Sequence, residues 1–363
     1  MTDEPGREPS AEVAATVEPP ASTGAPRRPT MREVAALAGV SLSTVSRVVN
    51  GGTGVRADLV ERVRGAVEML GYRHNLTAST LRRADRQSAT IGLIFEDVSN
   101  PFFSLVHRGV EEVARERGVL VLAGSSDEEP ERERELADAF GARGVDGLIL
   151  VPAARDHSYL VRERAAGVAI VCVDRPARSL DADAVVSDNE GGAAAAVDHL
   201  IAAGHRRIGF LGDRPEVFTA AERLRGYRQA LGRHGLEEDI ALVRHPRFRG
   251  VNAYESTIQL VRGKNPPTAL FAAQNLITVG AVRALHDLGV QHEIALVSFD
   301  DVLLADVVDP ALTVVAQDPL RLGREGAELL FSRLDGYDGP SRQVVVPVDL
   351  IVRGSGELAP PSS

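Results

Sequence analysis

Residues 30–50, Thr30 to Asn50, read TMREVAALAGVSLSTVSRVVN, the spacing of two short helices joined by a tight turn. Thr30 and Glu33 form a capping box: the hydroxyl takes a backbone N–H, and the carboxylate reaches back to another. Val34, Ala35, Leu37 and Ala38 place small and apolar side chains on one face. Gly39 stands where the first helix must stop, because glycine tolerates positive φ. Ser41 is placed to cap a second helix over Leu42–Val49. Val45, Val48 and Val49 are expected to face inward, leaving Leu42, Ser43, Ser46 and Arg47 outward. A helix-turn-helix lays its second helix in the DNA major groove, with base-reading residues near its N-terminus. The alternative is an ordinary helical hairpin, in which two capped starts, a glycine turn and a polar outer face would coincide without cause.

On the N-terminal side, residues 1–29 are rich in Pro, Ala and Glu and read as a disordered tail. On the C-terminal side a loop, GGTGV, leads to a third helix over about Ala57–Leu70, with Val60, Val63, Val67 and Leu70 inward. Arg56 and Leu59 stand near its start, so its cap is weak or supplied by Asp58. The segment GYRHNLTASTLRRADRQS follows. Its leucine, Leu81, sits beside Arg82 and Arg83, which suits an apolar wedge next to phosphates. A short solvated linker helix is the alternative.

The chain of 363 residues is 44% apolar, enough for two or three folding units. Its net charge of −10 argues against nucleic acid until its distribution is read. Residues 30–90 hold nine Arg against five acids, a basic module on an acidic body. Arginine supplies every cation except Lys264. No apolar run reaches a membrane-spanning length, and the polar, acidic start does not read as a secretory leader. Cys172, the only cysteine, lies in AIVCVD and reads as a core thiol. The expected location is the cytoplasm, in association with the nucleoid.

From Ile91 the pattern alternates buried strands and helices. IGLIF, VLVLAG, GLILV, AIVCVD and VVSD form one set of strands, with helices over about 105–117 and 131–143. IGFLG, ALFAA and IALVSF form a second, with helices over about 192–203, 221–234 and 277–288. Such alternation implies parallel sheets covered on both faces, and two sets imply two similar subdomains. Ligands of such sheets lie at the C-terminal ends of the strands, so the cleft between subdomains is the expected site.

The run AxxAGVSxxTVSRVxN resembles the start of the lac-repressor (LacI/GalR) family of bacterial transcription regulators, and the resemblance extends over about residues 30–355. It implies an α/β fold: a helix-turn-helix headpiece and hinge helix before a two-subdomain, doubly wound, periplasmic-binding-protein-like core. The implied limits are 30–74 for the headpiece and 75–88 for the hinge. Residues 89–186 with 318–345 form the N-subdomain, and 187–317 with 346–357 the C-subdomain, leaving 358–363 as a tail. DNA contacts are expected from Thr30, Leu42, Ser43, Thr44, Ser46, Arg47 and Asn50, and from Asn75, Ala78, Leu81 and Arg82 in the hinge. Effector contacts are expected from Phe103, in the NPFF turn, Asp174, Arg223, Phe248, Gln274, Asp300 and Gln317. Gln274-Asn275 departs from the family's usual Asn-Asp.

That set is chemically coherent for a sugar. A carboxylate accepts from vicinal hydroxyls, a guanidinium donates, and aromatic faces cover the apolar side of a ring. Unpaired buried charge is costly, so Asp300 and Arg223 are expected to stay open to cleft water until ligand arrives. The implied partners are operator DNA, a second copy of the chain and a small sugar-like effector, with no cofactor or metal. A solute-binding protein without gene control would lack the headpiece and carry an export signal. An enzyme is not favoured: the P-loop, GxSxG, HExxH and Cys/His zinc patterns are all missing from the sequence. His205, in GHRRIGF, matches a structural turn. Asp300-Asp301 lacks a third clustered metal ligand.

Overall fold

A computed structural model describes residues 29–49, 52–72, 88–246 and 251–361. They fall into two compact units, divided between residues 82 and 83.

The first unit holds α1 (Met31–Ala38), α2 (Leu42–Val49) and α3 (Ala57–Leu70). Glu33 Oε2 accepts from the Thr30 N–H at 2.6 Å while Thr30 Oγ1 accepts from the Glu33 N–H at 3.4 Å, completing the capping box. Gly39 ends α1 at φ 62°, where a Cβ would be strained. Arg62 of α3 donates to the carbonyls of Ala38 and Gly39 at 2.6 and 3.1 Å, tying down that turn. Val34, Ala35, Ala38, Val45, Val63 and Ala66 form the core, with Val48, Val49, Val67 and Leu70 partly buried against it. Leu37, expected inward, is instead 50% exposed. At 100° per residue the stripe centres between Val34 and Ala35, and Leu37 falls past its edge. α3 starts without a side-chain cap, because Asp58 is engaged by the Arg56 guanidinium at 3.0 Å.

The second unit contains two six-stranded sheets. One holds β1 (Thr90–Phe95), β2 (Leu120–Ser125), β3 (Gly147–Leu150), β4 (Ala169–Val173), β5 (Asp183–Ser187) and β11 (Gln343–Val346), in the order β11-β5-β4-β3-β1-β2. The other holds β6 (Ile208–Leu211), β7 (Val243–Arg244), β8 (Ala269–Ala272), β9 (Ala295–Phe299), β10 (Thr313–Ala316) and β12 (Asp349–Ile351), in the order β12-β10-β9-β8-β6-β7. All pairings are parallel except β10 with β12. The chain passes between the sheets after Ser187, between Ala316 and Pro319, and between Val346 and Asp349. The last two passages, with β10 to β12, complete the sheets from a region where the apolar pattern named no strand.

Helices begin earlier than their apolar periodicity indicates: Pro101–Glu116, Asn189–Ala202, Phe218–Arg233 and Asn275–Leu288. Asn100, Asp188 and Gln274 cap three of them through side-chain oxygens, and the polar first turn hides the start from a hydrophobic pattern. Pro101–Glu116 packs on Pro319–Leu334 backbone to backbone. A Cβ on Gly323 would lie 2.1 Å from the Val106 carbonyl oxygen, and one on Gly109 2.2 Å from that of Leu320. Asp183, fully buried, pins the returning chain. Arg333 Nη2 and the Arg342 backbone N–H donate to its Oδ1 at 2.8 and 2.7 Å, and Arg342 Nη2 to its Oδ2 at 2.8 Å. Burial alone would raise this carboxyl, but the bonds from both arginines reverse that and hold it at about 2. The segment expected as a tail is partly held: His205 Nε2 lies 2.8 Å from the Leu358 carbonyl oxygen, and Leu358 packs against the second sheet's core.

Candidate functional site

On α2, Leu42 is 41% exposed; Ser43 and Arg47 are exposed and Thr44 and Ser46 half-buried. The Ser41 hydroxyl accepts from the Thr44 N–H at 3.1 Å and lies 2.8 Å from the hydroxyls of both Ser43 and Thr44. One capping serine thus fixes the start of the helix and the side chains along its first turn. Thr30 is half-buried at the start of α1, its side chain engaged with Glu33. Asn50, Asn75, Ala78, Leu81 and Arg82 lie outside the described residues, as does Phe248.

In the second unit the structure brings Phe103, Asp174, Arg223, Gln274, Asp300 and Gln317 onto one cavity of about 40 Å³ between the sheets. That is space for roughly three waters at most. β4 and β9 each end in an aspartate with left-handed backbone, Asp174 at φ 72° and Asp300 at φ 76°. The Asp174 N–H donates to the Val185 carbonyl at 2.8 Å and that of Asp300 to Val315 at 2.9 Å. Non-glycine residues pay strain there, and such outliers gather at functional sites.

Arg223 reaches in from the helix Phe218–Arg233. Its Nε donates to Asn189 Oδ1 at 2.8 Å and its Nη1 to the Ala273 carbonyl at 2.9 Å. The guanidinium lies 3.9 Å from the Phe299 ring centroid, a cation–π contact. Asp300 Oδ2 accepts from the Asn275 N–H at 3.1 Å and its Oδ1 from Gln317 Nε2 at 2.5 Å. Gln274 caps the helix Asn275–Leu288, accepting from the Ile277 N–H at 3.3 Å. Phe103, 3% exposed, stacks on Phe95 at 6.3 Å.

The expectation that Arg223 and Asp300 stand open to water is wrong. They are 4% and 6% exposed. The residues that escort them, Asn189, Ala273, Asn275 and Gln317, are uncharged hydrogen-bond partners that a sequence pattern does not reveal. Among the described residues two polar side-chain contacts cross between the subdomains: Asn275 Nδ2 donates to Asn100 Oδ1 at 2.7 Å, and Arg214 lies 3.4 Å from Glu128.

Arg175 organises the rest of the wall, donating through Nε to Asp174 at 3.0 Å, Nη1 to Glu128 at 2.6 Å and Nη2 to Glu96 at 3.0 Å. Burial pushes the Glu96 carboxyl well above the usual carboxylate range, with Arg175 pulling it back and Glu128 adding to the rise. Burial likewise raises Asp174, against the pull of Arg175 and Arg223, and lowers Arg223. Sequence reasoning missed Glu96 and Asp213 as lining residues. The rule that found Asp174 and Asp300 reaches both, since each follows the C-terminal end of a strand.

Past Arg175 and Val217, which line both spaces, a chamber of about 410 Å³ adjoins the cavity. Cys172 is fully buried on β4 and its thiol is pushed up to about 12 by burial, an unreactive state. Among the described residues no group of three or more His, Cys, Asp or Glu is arranged to hold a metal, and no helix is long and apolar enough to cross a membrane.

Residues 30–75 match the family described as bacterial regulatory proteins, lacI family, and residues 197–356 match a periplasmic binding protein-like domain. The HTH-type transcriptional regulator CelR of Thermobifida fusca is 34% identical, covering 91% of this chain and 99% of that protein. The HTH-type transcriptional repressor CytR of Escherichia coli (strain K12) is 31% identical over 91% of this chain and 97% of its own. Among solved structures, the lac repressor dimer bound to operator and the anti-inducer ONPF superposes with a TM-score of 0.81 at 27% identity, covering 92% of this chain and 100% of that one. The CelR–cellobiose complex gives 0.67 at 31% identity, covering 90% and 100%. The helix-turn-helix unit, the paired parallel sheets and these relatives lead to one conclusion: the chain belongs to the lacI family of bacterial regulatory proteins, transcriptional regulators rather than enzymes.

Proposed function

We propose that this regulator grips a palindromic operator as a homodimer in the cytoplasm, and that a small sugar or sugar derivative between the two sheets shifts that grip. The observation that carries the effector half is the convergence of Phe103, Asp174, Arg223, Gln274, Asp300 and Gln317, spread over more than two hundred positions, on one cavity. The similar CelR was solved with cellobiose and the similar lac repressor as a dimer on operator, which supports extending both features to this chain. In this reading residues 30–74 are the DNA-binding headpiece. Leu42, Ser43 and Arg47 read bases, an arginine suiting guanine O6/N7 and a leucine the thymine methyl. Thr30, Thr44, Ser46, Asn50 and Arg82 flank them, and Asn75, Ala78 and Leu81 act at the minor groove between half-sites.

The inner cavity holds only a few waters and is spanned by Asn100–Asn275, with Glu128–Arg214 beside the adjoining chamber, so an effector seated there acts on the spacing of the sheets at those contacts. Ligand binding and sheet separation are then one equilibrium, and a ligand shifts it only through its preference for one geometry.

Asp300→Asn tests this. Operator affinity should stay within about twofold, while the response to the effector disappears. A sugar at about 100 times its Kd adds roughly 2.7 kcal/mol of stability, a rise of about 2–4 °C in Tm for a chain this size. That rise should vanish in the variant; an Asp300→Asn protein that responds like its parent removes Asp300 from the site.

A further inference from the structure

Four carboxyls line the inner cavity, each at the C-terminal end of a strand: Glu96 after β1, Asp174 after β4, Asp213 after β6 and Asp300 after β9. Among the described residues two guanidiniums, Arg175 and Arg223, line it with them. Arg175 is wholly committed inside the protein, and Arg223 in part, through two of its three nitrogens. Each nitrogen of Arg175 donates to a carboxylate, and Arg223 spends Nε and Nη1 on Asn189 and Ala273.

What the cavity leaves open is acceptors. Glu96 Oε1 and Gln317 Oε1 are both buried without a hydrogen-bond partner. Glu96 is 6% exposed and held by Arg175 through its other oxygen at 3.0 Å. Gln317 has already given its amide to Asp300. An orphaned buried acceptor destabilises the site until a donor arrives.

We infer that the cleft recognises its effector through the effector's hydrogen-bond donors, that Glu96 is a specificity-determining contact, and that anionic ligands such as sugar phosphates and sugar acids are excluded. This rests on the effector reading above and narrows it to non-anionic polyhydroxyl or amino-bearing compounds. A phosphate or carboxylate brings acceptors where acceptors are already in surplus. It also brings negative charge to a wall holding twice as many carboxyls as guanidiniums, and it could recruit Arg175 only by stripping Glu96, Glu128 or Asp174. Burial is the main cause of the upward push on Glu96 and Asp174, and the neighbouring carboxylates Glu128 and Asp300 add to it. A hydroxyl or ammonium group instead satisfies Glu96 Oε1 and Gln317 Oε1 without disturbing the arginines.

The test is a thermal-shift titration of the full chain with matched pairs: glucose against glucose 6-phosphate, ribose against ribose 5-phosphate, glucosamine against gluconate, with cellobiose as an extended neutral ligand. We expect a rise in Tm from one or more of the neutral or amino sugars and, in each pair, at least tenfold weaker binding of the anionic partner. In Glu96→Gln that preference should fall by at least tenfold. A phosphorylated or acid sugar that binds more tightly than its uncharged counterpart overturns this inference and leaves the effector cleft standing. No shift with any compound overturns the sugar reading itself. If Glu96→Gln folds poorly, the parent protein's matched pairs alone decide charge selectivity.

Discussion

The two units carry their chemistry in opposite ways. In the headpiece, the candidate DNA-reading side chains lie within a few residues on α2 and face solvent, Leu42 at 41% exposure. In the core, the candidate effector residues come from separate strand ends and helices and are buried, Arg223 at 4% and Asp300 at 6%. The difference follows from what each must bind. A DNA surface is read by an exposed, preformed face. A small polar molecule is held where water is excluded, so most of its recognition groups are satisfied by the protein when it is absent, with Glu96 Oε1 and Gln317 Oε1 left open. The core therefore needs escorts such as Asn189, Asn275 and Gln317, and the headpiece needs few.

If that contrast is right, a packing lesion in the core should be severe and should spare the headpiece. Gly323→Val is the harshest case, because the added atoms meet the Val106 backbone oxygen, 2.1 Å from the Cβ position, and backbone cannot turn aside as a side chain can. We expect a loss of about 4 kcal/mol or more, above the usual cost of overpacking. Circular dichroism should show the two-sheet unit melting early while the Val34–Val45–Val63 cluster keeps its own transition. One sharp melt lowered as a whole would show that the units do not fold separately.

Asp183→Asn should be next. It leaves Arg333 and Arg342 beside a neutral amide in a buried position, a loss of about 3 kcal/mol. The sign with pH is fixed by the direction of the shift. The native carboxyl is held at about 2 against an ordinary 3.8, so its stabilisation is full above the unfolded value and drains away as pH falls through about 2. That share is on the order of 2 kcal/mol. Urea melts of parent and variant from pH 6 to pH 2 should converge toward the acid end; a constant gap would place the loss in packing rather than charge.

In the headpiece, Arg47→Ala should weaken operator binding by about 1–3 kcal/mol and relax preference at one base pair. Equal losses on operator and on random DNA, measured at one salt concentration, would assign Arg47 to phosphate instead.

How much of this was legible in the sequence follows the same contrast. The headpiece was readable because its signals are local: Thr30 and Glu33 three apart, Gly39 at the turn, Ser41 before Leu42. Its one misplaced residue, Leu37, failed by an angle on a helical wheel. In the core, the strands could be read from apolar runs, and Asp174 and Asp300 from their place after them. The burial of Arg223 could not, because its partners Asn189 and Ala273 lie 34 and 50 residues away and carry no charge to announce a pairing. Glu96 stood in plain view after the first strand, but its burial, its bond to Arg175 and its orphaned Oε1, which set it apart from the exposed acids nearby, appear only in the fold.

The mildest change probes the most local signal. Thr30→Ala removes the oxygen that accepts the Glu33 N–H and a hydroxyl bond to Glu33, but leaves the 2.6 Å bond from the residue 30 N–H to Glu33 Oε2. Half the capping box survives, so the cost should be about 1 kcal/mol in the headpiece transition. The two-sheet unit should keep its stability and its ligand response, since the hydrogen bonds of Thr30 among the described residues stay with Glu33 and Val34 of its own helix. If Thr30 also touches phosphate, operator affinity will fall further than this stability loss accounts for. Thr30→Ser, which restores the capping oxygen without the methyl, should recover both. Recovery of stability but not of affinity would mean that the methyl group, and not the cap, makes the contact with DNA.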